Sequence, residues 1–246
     1  MPGVHRRVLA ELERQVSSSG DPAGEALRDR VARAYAAESL LRDVRAELLY
    51  RFEPTHAAAA LAWFRSPLGA RIVSLEREAA GPAGEAALRS WRKRLEAHPP
   101  GQARMELLRH IEAASRATEF AVALALDTTG GLYAGLHREG GGGPDDVASF
   151  RRALEARREA LEERFRPQVM AFLLFAYRDV SDEELGRLLA FLESDGGRWF
   201  TAAYNESLRA ALRRGAGRLL RAGAGGAPST GQSSEAEGSG DAGSSR

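Results

Sequence analysis

Cysteine is absent from the 246 residues, so neither a disulfide framework nor a thiolate metal site is open to this chain. That absence suits a reducing and an oxidising compartment equally. Lysine is almost missing as well: Lys93 stands alone, and arginine carries nearly all the positive charge. Together with abundant Ala and Gly, this bias reflects GC-rich coding rather than a choice of guanidinium for phosphate. Net charge is small. The 35 basic and 34 acidic residues leave a formal +1, which sets up no global field for nucleic acid or an anionic membrane. Long apolar runs are also lacking. The longest, Ala57 to Phe64 and Val169 to Tyr177, fall far below the ~18 residues needed to span a bilayer. The opening MPGVHRRVLAELERQ has basic residues but neither an apolar core nor a small-residue cleavage site, so no export signal is expected in it.

What is present is helical period. The 43% hydrophobic content allows a sizeable buried core. Alternating strand patterns are missing, so the expected fold is all-α: an elongated helical bundle built from two related helical repeats. The chain is organised around Leu188 to Leu212. Leu185, Leu188, Leu189 and Leu192 recur at threes and fours, and Phe200, Tyr204, Leu208 and Leu212 continue at fours, which places one apolar stripe on one helix face. Ser181 followed by Glu184 predicts a capping box at the helix start, with Val180 and Leu185 as a hydrophobic staple.

A weaker copy lies 128 positions earlier, in Leu61 to Leu75. Leu61 falls on Leu189, Trp63 on Phe191, Ser66 on Ser194, Gly69 on Gly197 and Ile72 on Phe200. Upstream, Tyr50-Arg51 matches Tyr177-Arg178 after a one-residue slip. In the early copy the period runs through Ser66-Pro67. Either a helix kinks there, or Ser66 caps a new helix with Pro67 at its first position, where a missing N–H costs nothing. Gly69 and Gly197 are expected where another helix approaches closely.

The segment Trp63-Phe64-Arg65-Ser66-Pro67-Leu68-Gly69, with its second copy through Phe191-Leu192-Glu193-Ser194-Asp195-Gly196-Gly197, resembles the bacterial domain of unknown function 2059 family. The resemblance covers roughly residues 25 to 215. It implies an all-helical, generally exported (periplasmic) bacterial protein with no established activity, and no site residues to carry over. In the second copy Asp195 stands where the motif has proline.

Along the chain, residues 1–20 read as an N-terminal helix with Val4, Val8, Leu12 and Val16 in one stripe. Residues 21–139 read as a first helical unit. In it Leu27, Val31, Ala34, Tyr35, Leu41, Val44, Leu48 and Leu49 share a broad apolar face before Glu53-Pro54-Thr55 interrupts. Helices are expected over 83–97 and 102–126, with Thr128-Thr129-Gly130-Gly131 weakening or ending the latter. Residues 140–144 form a Gly-rich linker. Residues 145–221 read as a second unit, in which Pro167 opens a fresh segment. Residues 222–246 hold no large apolar side chain after the last leucines and are expected to be a disordered tail.

No catalytic, cofactor-binding or metal residue is assigned. Glu53 and His56 have the Glu-x-x-His spacing of di-iron bundles, but Pro54 intervenes and no second such pair exists. Gly140 to Gly143 lacks the Lys of a phosphate loop, and Gly215-Ala216-Gly217 follows a helix rather than a strand. Glu162-Glu163 and Glu183-Glu184 fit charged faces and a helix start better than an acid–base pair. The basic clusters Arg89, Arg92, Lys93 and Arg94 around Trp91, and Arg209, Arg213, Arg214, Arg218 and Arg221, fit helix-end complementation better than nucleic-acid contact. The expected function is a non-enzymatic interaction or scaffold module of the bacterial envelope, with a protein partner or self-association. The alternative is an apolar small-molecule site between the repeats, lined by residues such as Trp63, Trp91, Trp199, Phe200 and Tyr204.

Overall fold

A computed structural model describes residues 22–139 and 143–224. The expected 1–20 helix and most of the 222–246 tail lie outside these. Among the described residues there are helices and no strands, so the chain is an all-α bundle. Proline sets the punctuation. It is the first residue of α1 (Pro22–Ala34), α3 (Pro54–Arg65), α4 (Pro67–Ala79), α5 (Pro82–Ala97) and α8 (Pro144–Glu155). At that position its fixed φ already suits a helix and no backbone bond is lost. The other elements are α2 (Ala37–Tyr50), α6 (Gln102–Ser115), α7 (Ala117–Glu139), α9 (Arg158–Ala176), α10 (Asp182–Glu193) and α11 (Asp195–Ala224).

Two cores result. One gathers Ile72, Leu88, Leu108, Ile111, Leu173 to Tyr177, Leu185 and Leu188, from α4, α5, α6, α9 and α10. The other gathers Val31, Tyr35, Leu40, Phe120, Leu124, Leu208, Leu212 and Leu219, from α1, α2, α7 and α11. Both draw on residues from either side of 140–144. Glycine permits the tightest contact. A Cβ at Gly131 would lie 2.7 Å from Ala216 Cβ, and one at Gly135 would lie 2.7 Å from Leu219 Cδ2. This close seating against α11 is why α7 continues through Thr128-Thr129-Gly130-Gly131, where the sequence suggests a weakened helix or its end.

Several boundaries differ from expectation for identifiable reasons. The helix expected over Leu188–Leu212 is broken at Ser194, which leaves helical dihedrals (ψ 162°). The stretch 23–52 is broken at Tyr35, whose ring is buried between Gly131 and Gly215. The stretch 102–126 is broken at Arg116, the one non-glycine residue with positive φ (51°) among those described. Pro167 lies inside α9 rather than opening a segment; it is exposed, so water meets the carbonyl it leaves unbonded. Pro144 belongs to α8 rather than to the linker, and α11 continues through Gly215-Ala216-Gly217 to Ala224.

Candidate functional site

Ser66 and Ser194 turn the chain in the same way. Ser66 caps α4, its Oγ accepting from Gly69 N at 3.1 Å and donating to Trp63 O at 2.6 Å. Ser194 caps α11, accepting from Gly197 N at 3.1 Å and donating to Phe191 O at 2.6 Å. Of the two readings open at Ser66-Pro67, the new helix is the one found. The glycines are needed by the corner itself. A Cβ would fall 2.1 Å from Trp63 O at Gly69 and 1.9 Å from Phe191 O at Gly197, so the approaching helix is the preceding one.

The corners also meet. Trp63 stacks on Phe191, its counterpart, with centroids 4.7 Å apart and planes within 6°. Phe64 adds edge contacts to Phe191 and Phe200. Arg71 Nη2 donates to Asp179 O at 2.5 Å, while Trp199 Nε1 donates to Arg51 O at 3.1 Å. Both donors and both acceptors are 128 positions apart, so one contact repeats the other with the partners exchanged.

Cover is what separates them. Over the α9–α10 corner lies α6. Arg104 donates from Nη2 to Tyr177 O (2.7 Å) and Val180 O (3.0 Å), and pairs with Asp182. Leu108 and Ile111 are buried beneath it. Tyr177 and Val180 are 2% and 3% exposed, and the Tyr177 hydroxyl donates to Glu76 Oε1 at 2.6 Å. Burial, then the Glu76 carboxylate, pushes that phenol well above its ordinary range. At the α2–α3 corner the corresponding residues face water: Tyr50 is 85% exposed, Leu49 67% and Phe52 53%, with Leu41 and Leu61 also exposed. Leu41 and Leu49 therefore do not lie on the buried face expected for them, whereas Val31, Ala34 and Tyr35 do. Leu40, which the periodic reading passed over, is buried in their place.

Other candidates resolve as structure. The Ser181–Glu184 capping box is formed, at 3.2 Å and 3.0 Å, and Glu184 also pairs with Arg71. The Ser181 backbone bond, foremost, holds its carboxyl below the usual range. Val180 and Leu185, the expected staple, are both buried. Glu183 is exposed and pairs with Arg187. Glu53 Oε2 and His56 Nδ1 do meet, at 2.7 Å, because Pro54 opens α3 instead of interrupting it. Among the described residues no group of three or more His, Cys, Asp or Glu is arranged to hold a metal. In the second basic cluster Arg209 and Arg213 pair with Asp127 and Glu206, Arg214 with Glu47 and Arg218 with Asp43. Chiefly the Arg214 hydrogen bond lowers the Glu47 carboxyl.

Around Trp91 an open cleft of about 560 Å³ separates α5 from α9, lined by Trp91, Leu95, Phe175, Arg94, His98 and Arg178. Trp91 lies 5.8 Å from Phe175, and the Arg178 guanidinium caps the Phe175 ring at 4.5 Å. The other aromatics considered for a ligand groove are packed: Trp63, Phe200 and Tyr204 contribute to the stacks between corners and cores. No described helix is long and apolar enough to cross a membrane. No family model, curated protein or solved structure matches the chain.

Proposed function

We propose that the chain is a non-enzymatic helical interaction module of the bacterial envelope, made of two related helical units docked face to face about an approximate two-fold axis. It binds a partner protein through the open α2–α3 corner. One observation carries this reading: Leu49, Tyr50 and Phe52 are exposed within one turn at this corner, while Tyr177 and Val180 at the matching corner are buried. Large apolar side chains grouped on a surface mark an interaction site, whereas single ones do not. Tyrosine and phenylalanine are the residue types that anchor such interfaces. The placement in the envelope is supported by the resemblance at Trp63 to Gly69 alone.

The cleft beside Trp91 favours a second reading, a site for an apolar small molecule between the units. A photo-crosslinking residue at position 50, with one at the half-buried Met105 as control, separates them. A specific protein joined from position 50 and not from position 105 supports the module. A chain that joins no protein and repeatedly co-purifies with one small molecule contradicts it.

A further inference from the structure

Resting on the docking-module reading, we infer that the occupant of the open corner is an amphipathic helix of another protein, with an arginine in its first turn. Apolar residues follow that arginine at one, four and seven positions. The seat on the matching corner supplies the template. There α6 presents Arg104 in its first turn and Met105, Leu108 and Ile111 after it, and the arginine satisfies two carbonyls where α9 ends. An apolar stripe at that spacing lies on one face of a helix, beside the cation.

The open corner offers the complementary acceptors. Pro54 has no N–H to return to the Tyr50 carbonyl, and among the described residues no donor reaches Tyr50 O or Phe52 O. Phe52 is the counterpart of Val180, whose carbonyl Arg104 holds. The last turn of α2 carries no cation, although the helix dipole favours one there. Arg51, just past that turn, and Arg214 of α11 both pair with Glu47, and the Glu53 carboxylate beyond it is bonded to His56. The corner thus presents apolar side chains next to two backbone carbonyls without a donor among the described residues. A second copy of this chain cannot supply the helix from α6, because Leu108 and Ile111 are already 0% and 1% exposed against their own core. The helix inferred here is therefore not α6 of a second copy.

The test titrates the isotope-labelled chain with a synthetic peptide of residues 101–116, GQARMELLRHIEAASR, followed by two-dimensional NMR. Saturable shifts at residues 49–53 and Leu61 are expected. They should vanish in the Leu49→Glu/Tyr50→Glu chain, whose exposed positions leave the fold intact by circular dichroism. An Arg104→Ala peptide should bind about tenfold more weakly, a loss of ~1.4 kcal/mol. The inference is overturned by silence at the corner up to millimolar peptide. Shifts confined to α9 and α10, or equal binding by the two peptides, overturn it as well. Concentration-dependent self-association abolished by the double variant would make the occupant a second copy instead. A protein cross-linked from position 50 alongside a silent titration removes the helix chemistry and leaves the docking module standing.

Discussion

The two corners use the same device and differ in what lies on top of it. Ser66 and Ser194 each accept from the glycine three residues on, and each donates to the carbonyl of the aromatic three residues back. Around Ser194 the neighbouring turn at Tyr177 to Val180 is sealed by α6. Around Ser66 the neighbouring turn at Leu49 to Phe52 is bare. Local geometry is thus set by a few residues within one turn. Burial is set by whether another helix arrives, and only that second property separates a core from a binding surface.

Substitution at matched tyrosines gives the largest contrast. Tyr177→Ala should destabilise by about 3–5 kcal/mol, the usual cost of deleting a buried aromatic. Tyr50→Ala should stay within about 0.5 kcal/mol, as exposed sites do. Equal shifts of the denaturation midpoint would show that the corners are equally covered.

Alkaline titration tests the buried side separately. Tyr35 is pushed up from 10.0 to about 12, mainly by burial, and Tyr204 likewise. A phenol raised in the folded state stabilises fully below pH 10, and that contribution is lost as the pH climbs through the folded value. Stability should therefore fall between pH 10 and 12, by up to about 3 kcal/mol from Tyr35. Because the Tyr35 hydroxyl is buried without a partner, Tyr35→Phe should flatten the slope without loss at neutral pH. A chain equally stable at about pH 8 and about pH 12 would argue against this burial.

The corner glycines come next. Gly69→Ala and Gly197→Ala each force a Cβ onto a backbone carbonyl, and each should cost about 1–3 kcal/mol in urea unfolding. The smallest effect is that of the caps. Ser66→Ala and Ser194→Ala should each lose about 1 kcal/mol, alike to within error. A marked inequality in either pair would break the likeness of the corners.

Much of the fold is legible in the chain. The all-α class follows from the spacing of Leu185 to Leu212, and the start of α10 from Ser181 and Glu184, because capping acts within one turn. The 128-residue offset aligns Trp63 with Phe191 and Ser66 with Ser194 in the sequence, but does not show the stacking of Trp63 on Phe191. What could not be read is tertiary. Leu41 and Leu49 share a face with core residues in period, yet period does not say whether anything packs there. Arg104 has no motif, and its role appears only once α6 lies over Tyr177 and Val180. The continuation of α7 through Gly130 and Gly131 depends on Ala216 and Tyr35, distant in sequence.

Residue-resolved amide hydrogen exchange compares the corners most directly, since protection follows the free energy of local opening. The Tyr177 and Val180 amides, bonded to Leu173 O and Tyr177 O beneath α6, should exchange near the global unfolding rate. The Arg51 and Phe52 amides are bonded to Glu47 O and Leu49 O at the bare corner. They should exchange far faster, and slow only when a partner is bound. Equal protection of the two sets in the isolated chain would mean that the α2–α3 corner is already covered, and that it is not a surface waiting for a partner.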